Sequence, residues 1–130
     1  MKVKGQLPRA IGMIAKAHFE MNFKKQGFDG IKWAEVERRE SGTKAYKSAT
    51  KAQKTSSILS GKTKLLAKSI YIKKATWPRI VMASSSPYGI YHNNGISGRL
   101  KQRKFMGNSD KLNKKVISFV KKQLDWVFKR

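Results

Sequence analysis

The sequence predicts an α+β fold in which N-terminal and C-terminal helices pack on a small antiparallel sheet, with a long basic loop between them. Apolar residues recur at helical spacing near both ends of the chain, and in the middle they alternate with a period of two. A length of 130 residues suits one domain, and a 39% hydrophobic content can supply one core. We therefore expect a single domain over 1–130, with 41–57 as a flexible basic loop.

The first element is a predicted helix over residues 7–26. Its apolar positions form one stripe at the spacing of a core-facing helix: Leu7, Ile11, Ile14, His18 and Met21. Pro8 would lie in the first turn, where its missing N–H costs nothing, and Gly27 would cap the C-terminal end. His18 lies in the middle of the stripe, so we expect a hydrogen-bonded core residue rather than a ligand or a base.

The segment that follows is rich in Lys, Ser, Thr and Ala. Residues 38–57 contain one aromatic side chain and show no apolar periodicity. A polar segment of this length is typical of a functional or disordered loop. We expect a long basic arm that becomes ordered against a neighbouring molecule.

A β-hairpin is predicted next, with strands over 69–73 and 79–83 and a connection over 74–78. Ile70, Ile72, Ile80 and Met82 would share its buried face, because strand side chains alternate with a period of two. Residues 84–98 mix small, polar and aromatic side chains without a period, so they are predicted to form a structured loop.

The last element is a helix over 110–128, capped by Ser109 or Asp110. Its apolar arc spans about 200°, whereas covering one core takes roughly 100°. We interpret the excess as a subunit contact that includes Trp126, Phe128 and Ile117. Lysines fill the opposite face, so a helix lying on a membrane surface is the other interpretation.

The net charge of +23 is the strongest compositional signal. Fourteen Lys or Arg residues and no Asp or Glu lie between residues 41 and 109. Such self-repulsion calls for a polyanion or an acidic protein partner. Because Lys outnumbers Arg, we expect contact with phosphates without base reading. The residues predicted to face double-stranded DNA in a channel are Lys44, Lys47, Lys51, Lys54, Arg99, Lys101, Arg103 and Lys104; docking on acidic neighbours is the alternative.

No constellation of catalytic or metal-ligating residues can be found. The chain has no Cys, and its two histidines, His18 and His92, have no nearby carboxylate with which to build a zinc site. A serine near His92 has no Asp or Glu between 41 and 109 to complete a triad. The longest stretch without charged residues, 80–98, is too polar to span a membrane. We expect no enzyme, no metal, no cofactor and no membrane contact.

Four motifs follow one another along the chain. They are F-x-x-Q-G followed by G-x-x-W-A in 23–34, I-L-S-G leading to S-I in 58–70, P-Y-G-I-Y-H-x-x-G in 87–95 and R-K-F-M-G in 103–107. In this order they resemble the phage virion morphogenesis proteins, the tail-completion family of Mu-like tailed phages. The resemblance implies helices on a small antiparallel sheet and subunits that close into a ring. It also implies architectural roles for Trp33 as a core anchor, Tyr88 as a packing residue, His92 as a donor to a loop carbonyl, and Gly95 and Phe105.

The resemblance and the charge together give the functional hypothesis. The chain would be a structural protein of a tailed-phage virion, forming a ring at the neck or tail end that completes the tail and joins it to the head. Its partners would be further copies of itself, expected as a hexamer, the tail-tube and head-completion or connector proteins, and DNA in the channel. It would be found in the virion, and in the host cytoplasm during assembly. A non-specific basic nucleic-acid-binding protein is the main alternative; a cationic membrane-active module and an enzyme are the others.

Overall fold

The computed structural model describes residues 3–36, 39–55, 58–59, 65–98 and 100–128. In chain order the elements are α1 (Val3–Lys25), β1 (Gly27–Phe28), β2 (Ile31–Lys32), α2 (Lys44–Ser48), α3 (Lys51–Thr55), α4 (Leu65–Lys68), β3 (Ile70–Thr76), β4 (Arg79–Ser84), α5 (Gly89–Asn94) and α6 (Asp110–Phe128). β1 pairs with β2, and β3 pairs with β4, both antiparallel. The predicted α+β architecture with N-terminal and C-terminal helices is confirmed.

Helix α1 has different ends from those predicted. It begins at Val3, so Pro8 lies beyond its first turn, and the side chain is fully buried. At the other end Gln26, with a φ of 53°, takes the left-handed conformation that was expected of Gly27. Gly27 instead begins β1, where an added Cβ would lie 2.6 Å from the carbonyl oxygen of Ile31. The glycine is therefore required by the close approach of the two short strands.

The β3–β4 hairpin is the larger sheet, and it packs against α1. Its strands confirm the predicted pair, although β3 runs on to Thr76 and leaves only Trp77 and Pro78 as the connection. Ile72 lies opposite Met82, and a bulge follows Ile72. Ile70 is fully buried at the start of β3. The hairpin thus covers one side of α1, and α6 contacts α1 as well.

One hydrophobic core lies between these elements. Phe23 of α1 is at its centre: its ring centroid lies 5.5 Å from that of Trp33 and 5.1 Å from that of Phe105. The buried members of the core are Ala15, Phe19, Phe23, Trp33, Ile58, Ile70, Phe105 and Leu112. Several of them come from irregular segments, so the packing depends on how those segments are held.

The prediction of a long irregular loop over 41–57 is wrong for most of its length. Helix α2 is capped by Thr43, whose hydroxyl accepts from the N–H of Tyr46 at 3.1 Å. Before α3, the Gln53 side chain accepts from the Thr50 N–H at 2.8 Å, and the Thr50 hydroxyl accepts from the Gln53 N–H at 3.2 Å. This reciprocal pair is a capping box, a signal that was present in the sequence. Residues 56 and 57 lie outside the described residues.

Two further predictions have different outcomes. The segment 84–98, predicted as a loop, contains α5. The C-terminal helix is confirmed over 110–128. Its cap is Ser109, because the Ser109 hydroxyl accepts from the N–H of Leu112 at 3.1 Å. No helix in the described part of the chain is both long and apolar enough to cross a bilayer.

Candidate functional site

Three of the four motif segments meet at Phe105, and the 58–70 segment contributes Ile58 and Ile70 to the same core. The indole N–H of Trp33 donates to the carbonyl oxygen of Lys104 at 2.7 Å. The Asn22 amide, buried on α1, donates to the carbonyl oxygen of Phe105 at 2.9 Å. The Phe105 ring is buried between Phe23 and the rest of the core. The 103–107 segment is therefore fixed both by its backbone carbonyls and by its aromatic side chain, and Trp33 and Phe105 are confirmed as core residues.

Helix α5 holds the same segment from the other side. The side-chain oxygen of Asn93 accepts from the N–H groups of Phe105 and Met106, each at 2.9 Å. The Arg103 N–H donates to the carbonyl oxygen of His92 at 2.8 Å. Asn93 was not singled out from the sequence, because a single Asn in a polar stretch carries no signal of a partner twelve residues away. The 87–95 and 103–107 motifs thus form one hydrogen-bonded unit.

Arg103 is part of this unit, so its assignment to a DNA-facing surface is wrong. The side chain is only 7% exposed. Its guanidinium donates to the carbonyl oxygens of Ala34 at 3.0 Å and Glu35 at 3.1 Å. Burial lowers the pKa of Arg103, whereas the Glu35 charge raises it. A guanidinium that bonds two backbone carbonyls in the interior serves architecture and cannot reach a phosphate.

The remaining motif residues divide between the interior and the surface. Gly95 has a φ of +74°, and an added Cβ would lie 2.8 Å from the backbone nitrogen of Gln102, so only glycine fits.

Tyr88 is 67% exposed, so its predicted packing role is wrong for the single chain. The Nδ1 atom of His92 is buried and finds no partner among the described residues, so the predicted bond to a loop carbonyl is not formed at that atom. Burial and the nearby Arg103 charge lower the pKa of His92.

The other seven basic residues predicted to face DNA fall into three groups. Lys54 lies over the ring of Tyr46 at 4.3 Å and Lys104 over the ring of Phe28 at 4.7 Å, so both stems pack along the surface. Arg99 lies outside the described residues. The side chains that are exposed are Lys44, Lys47, Lys51 and Lys101.

A polar cluster surrounds the buried His18, as expected for a satisfied core histidine. The Lys115 ammonium lies 3.0 Å from His18 Nδ1, which must therefore accept. The proton is then on Nε2, which lies 3.3 Å from the Ser109 hydroxyl, and that hydroxyl donates to Asp29 at 2.5 Å. Burial, followed by the Lys115 charge, lowers the pKa of His18 below 6.5, although Asp29 opposes this. The imidazole is neutral at neutral pH.

The cluster contains Ser, His and Asp, but its geometry differs from that of a catalytic triad. In a triad the carboxylate orients the histidine through Nδ1, whereas here Lys115 occupies that atom and Asp29 bonds the serine directly. The Ser109 side chain is 1% exposed and also caps α6. Burial would raise the pKa of Asp29, but hydrogen bonds from Ser109 and from the backbone N–H groups of Lys111 and Asp110 lower it below 3.8. The cluster ties α1, the turn after β1 and the N-terminus of α6 together.

The three residues predicted at a subunit contact are exposed on α6. Phe128 is 82% exposed, Ile117 53% and Trp126 50%. Towards the N-terminus of the same helix, Leu112 and Val116 pack into the core. The helix therefore uses one part of its wide apolar arc within the chain and presents the rest at the surface.

Among the described residues, no group of three or more His, Asp or Glu side chains could hold a metal ion. Comparisons with protein-family models, with curated proteins and with solved structures found no match. What the molecule offers is thus a polar and aromatic framework around Phe105, an exposed apolar face on α6 and a strongly basic surface.

Proposed function

We propose that this chain is a structural subunit of a tailed-phage virion, forming a ring at the neck or tail end that completes the tail and joins it to the head. One observation carries the proposal. Three of the four segments whose order resembles the phage virion morphogenesis proteins build the Phe105 framework, through Trp33, Asn93 and Arg103. The fourth, 58–70, contributes Ile58 and Ile70 to the same core. A motif set that specifies one packed unit is expected of a shared architecture and not of a shared reaction.

The surface of the chain supports an assembly. Ile117 and Phe128 are exposed on one face of α6 and need a covering partner, since an exposed apolar patch marks an interaction site. We propose further copies of the chain as that partner, in a hexamer, with the tail-tube and the head-completion or connector proteins above and below. The chain acts in the virion and is present in the host cytoplasm during assembly.

The basic surface supports DNA in the channel of the ring. Duplex DNA carries one charge per about 1.7 Å, so lysines at the channel wall would meet a dense row of phosphates. Lys44, Lys47 and Lys101 are exposed and suited to this role. The contacts would be made without sequence specificity and with no reaction catalysed.

A non-specific nucleic-acid-binding protein that works outside virions is the second candidate. The net charge of +23 favours it, because such a charge alone attracts nucleic acid. This second hypothesis predicts that the free protein is a monomer or dimer that binds DNA with a steep salt dependence. A ring subunit should bind free DNA weakly before it assembles.

The mass of the native protein distinguishes the ring subunit from the nucleic-acid-binding protein. We expect a closed ring in native mass spectrometry, formed alone or on adding a tail-tube protein. A chain truncated after Gln123 should stay folded and fail to assemble, since it lacks Trp126 and Phe128. A matched full-length variant, Met13→Ala on the exposed face of α1, should assemble normally. A monomer that binds DNA tightly with or without the tail-tube protein would favour the second candidate.

A further inference from the structure

An open apolar groove lies between α1, β4 and α6. Its volume of about 480 Å³ falls within the roughly 300–1,000 Å³ of clefts that hold ligands. Ile11, Ala15 and Leu112 form its floor, and these residues are themselves buried. Ile80 and Ile117 also line it, and none of its described lining residues is charged. The hydrophobic interior is thus reachable from outside through an uncharged opening.

The same helix carries an apolar stripe that begins at this groove. Ile117, Leu124 and Phe128 are spaced by seven and four residues, which places them on one face of α6. They are exposed by 53%, 43% and 82%. Ile117 belongs both to the groove and to the stripe, so the groove borders the first residue of the stripe.

The chain cannot fill the groove with its own stripe. Eleven residues separate Ile117 from Phe128 in a continuous helix, which places them about 16 Å apart along the axis. Phe128 therefore points to solvent at a distance from the groove of its own chain. A second copy can bring its Phe128 to that groove.

The charges favour a second copy over an acidic partner at this place. A partner selected for its acidity would find no cation among the groove's described lining residues. Two copies that each carry +23 repel each other, so a contact between them is favoured where the surface carries few cations. The lining of the groove provides such a surface, and Lys121 is the cation that lies between Ile117 and Leu124 on the stripe.

We propose that the C-terminal end of α6 from one copy, with Leu124 and Phe128, packs into the groove between α1, β4 and α6 of the next. This rests on the proposed ring function and adds the two surfaces that join the subunits. The contact unites different surfaces of the two copies, and a contact of this kind closes into a ring when its rotation closes.

Cysteine cross-linking tests the contact directly, because the chain has no cysteine of its own. One preparation carries Phe128→Cys and the other Ile80→Cys, and the two are mixed and oxidised. A disulfide needs Cα atoms within about 7 Å, so only a seated C-terminus can form it. We expect the mixed disulfide as the main product, resolved by mass spectrometry.

Two further variants control the result. Asn113→Cys, exposed at the groove, replaces Ile80→Cys if that substitution affects folding. Met13→Cys lies about 160° around α1 from the middle of the Ile11–Ala15–Phe19 face, and it should give little mixed product with Phe128→Cys. Equal cross-linking to Met13→Cys, or a Phe128–Phe128 pairing as the main product, would overturn the proposal.

Native mass spectrometry of the unmodified chain distinguishes a failure of the groove proposal from a failure of the proposed ring function. If a ring forms and neither groove cysteine cross-links, the groove proposal fails and the ring stands. If no assembly forms, the ring function fails with it. Added salt should strengthen the contact, because it screens the repulsion of like-charged copies; weakening by salt would indicate an acidic occupant and overturn the proposal.

Discussion

The Ser109 hydroxyl joins the Asp29 carboxylate at 2.5 Å across 80 residues of sequence, while its oxygen caps α6 by accepting from the N–H of Leu112. One hydroxyl therefore connects the turn after β1 to the start of α6. Asp29 also accepts from backbone N–H groups in the first turn of that helix. The carboxylate thus occupies the positive end of the α6 dipole and fixes the direction in which the exposed stripe points.

Ser109→Ala should destabilise the chain by about 2–4 kcal/mol. It removes the cap, worth about 1 kcal/mol, and takes one donor from the partly buried Asp29 carboxylate, worth about 1–3 kcal/mol. Urea unfolding measures the change. Ser118→Ala, an exposed serine on the same helix, is the control and should stay within about 0.5 kcal/mol of the parent. Equal effects of the two substitutions would contradict the role given to Ser109.

Stability should fall as the pH is lowered through the range just below 6.5. The pKa values of His18 and His92 are lowered in the folded chain, so the unfolded chain binds more protons in this window. Lowering the pH therefore stabilises the unfolded state relative to the folded state. His18→Gln should remove part of the slope and His18→Gln with His92→Gln nearly all of it. Denaturation midpoints at a series of pH values test this, and an unchanged slope in the double variant would refute it.

A second loss of folding stability is expected below pH 4. The pKa of Asp29 is lowered in the folded state, so the stability that its ionised form contributes is present above 3.8 and is lost as the pH falls through the lowered value. Asp29→Asn should flatten this second decline in stability and leave the decline just below pH 6.5 in place. A titration of stability that separates the two ranges provides the check.

Arg103→Gln should lower stability by about 2–4 kcal/mol, since the carbonyl oxygens of Ala34 and Glu35 lose the buried guanidinium that donates to them. Lys101→Gln removes the same charge from an exposed position two residues away and should change stability by less than about 0.5 kcal/mol. Thermal or urea unfolding compares them. If Arg103→Gln proved as stable as Lys101→Gln, the guanidinium would not be what holds the 103–107 segment to the chain after Trp33.

Replacing Lys44, Lys47 and Lys101 with Gln should reduce the salt slope of DNA binding by the assembled ring by about three, close to one for each phosphate that is no longer neutralised. The reduction should be the same for different DNA sequences. A triple Gln variant of the exposed lysines on α4 and β3, Lys68, Lys73 and Lys74, provides a control with the same change in charge. A variant that binds DNA normally but does not join its protein neighbours would show that these lysines dock on acidic surfaces.

The elements that the sequence by itself determined are those whose signal is local. The stripe in α1, the alternation in the β3–β4 hairpin and the wide arc of α6 each depend on residues within a few positions of one another, and the period of the pattern decides the element. Within the α1 stripe the prediction is wrong at Met21, which is 41% exposed. The burial of His18 followed from its place in the α1 stripe. The short helices α2 and α3 had local caps as well, at Thr43 and Thr50, but their lysine-rich composition concealed them.

Only the tertiary structure decided what the polar residues do. Arg103 looks in the sequence like a member of a basic run, but in the folded chain it is a buried donor to the carbonyl oxygens of Ala34 and Glu35. These partners lie 69 and 68 residues away along the chain, so no local pattern could show them. His18 and Ser109 are 91 residues apart and come together only when α6 packs on α1. Hydrogen bonds act over about 3 Å in space, whatever the separation along the chain, so a sequence pattern shows which side chains can donate or accept but not which partner each one finds.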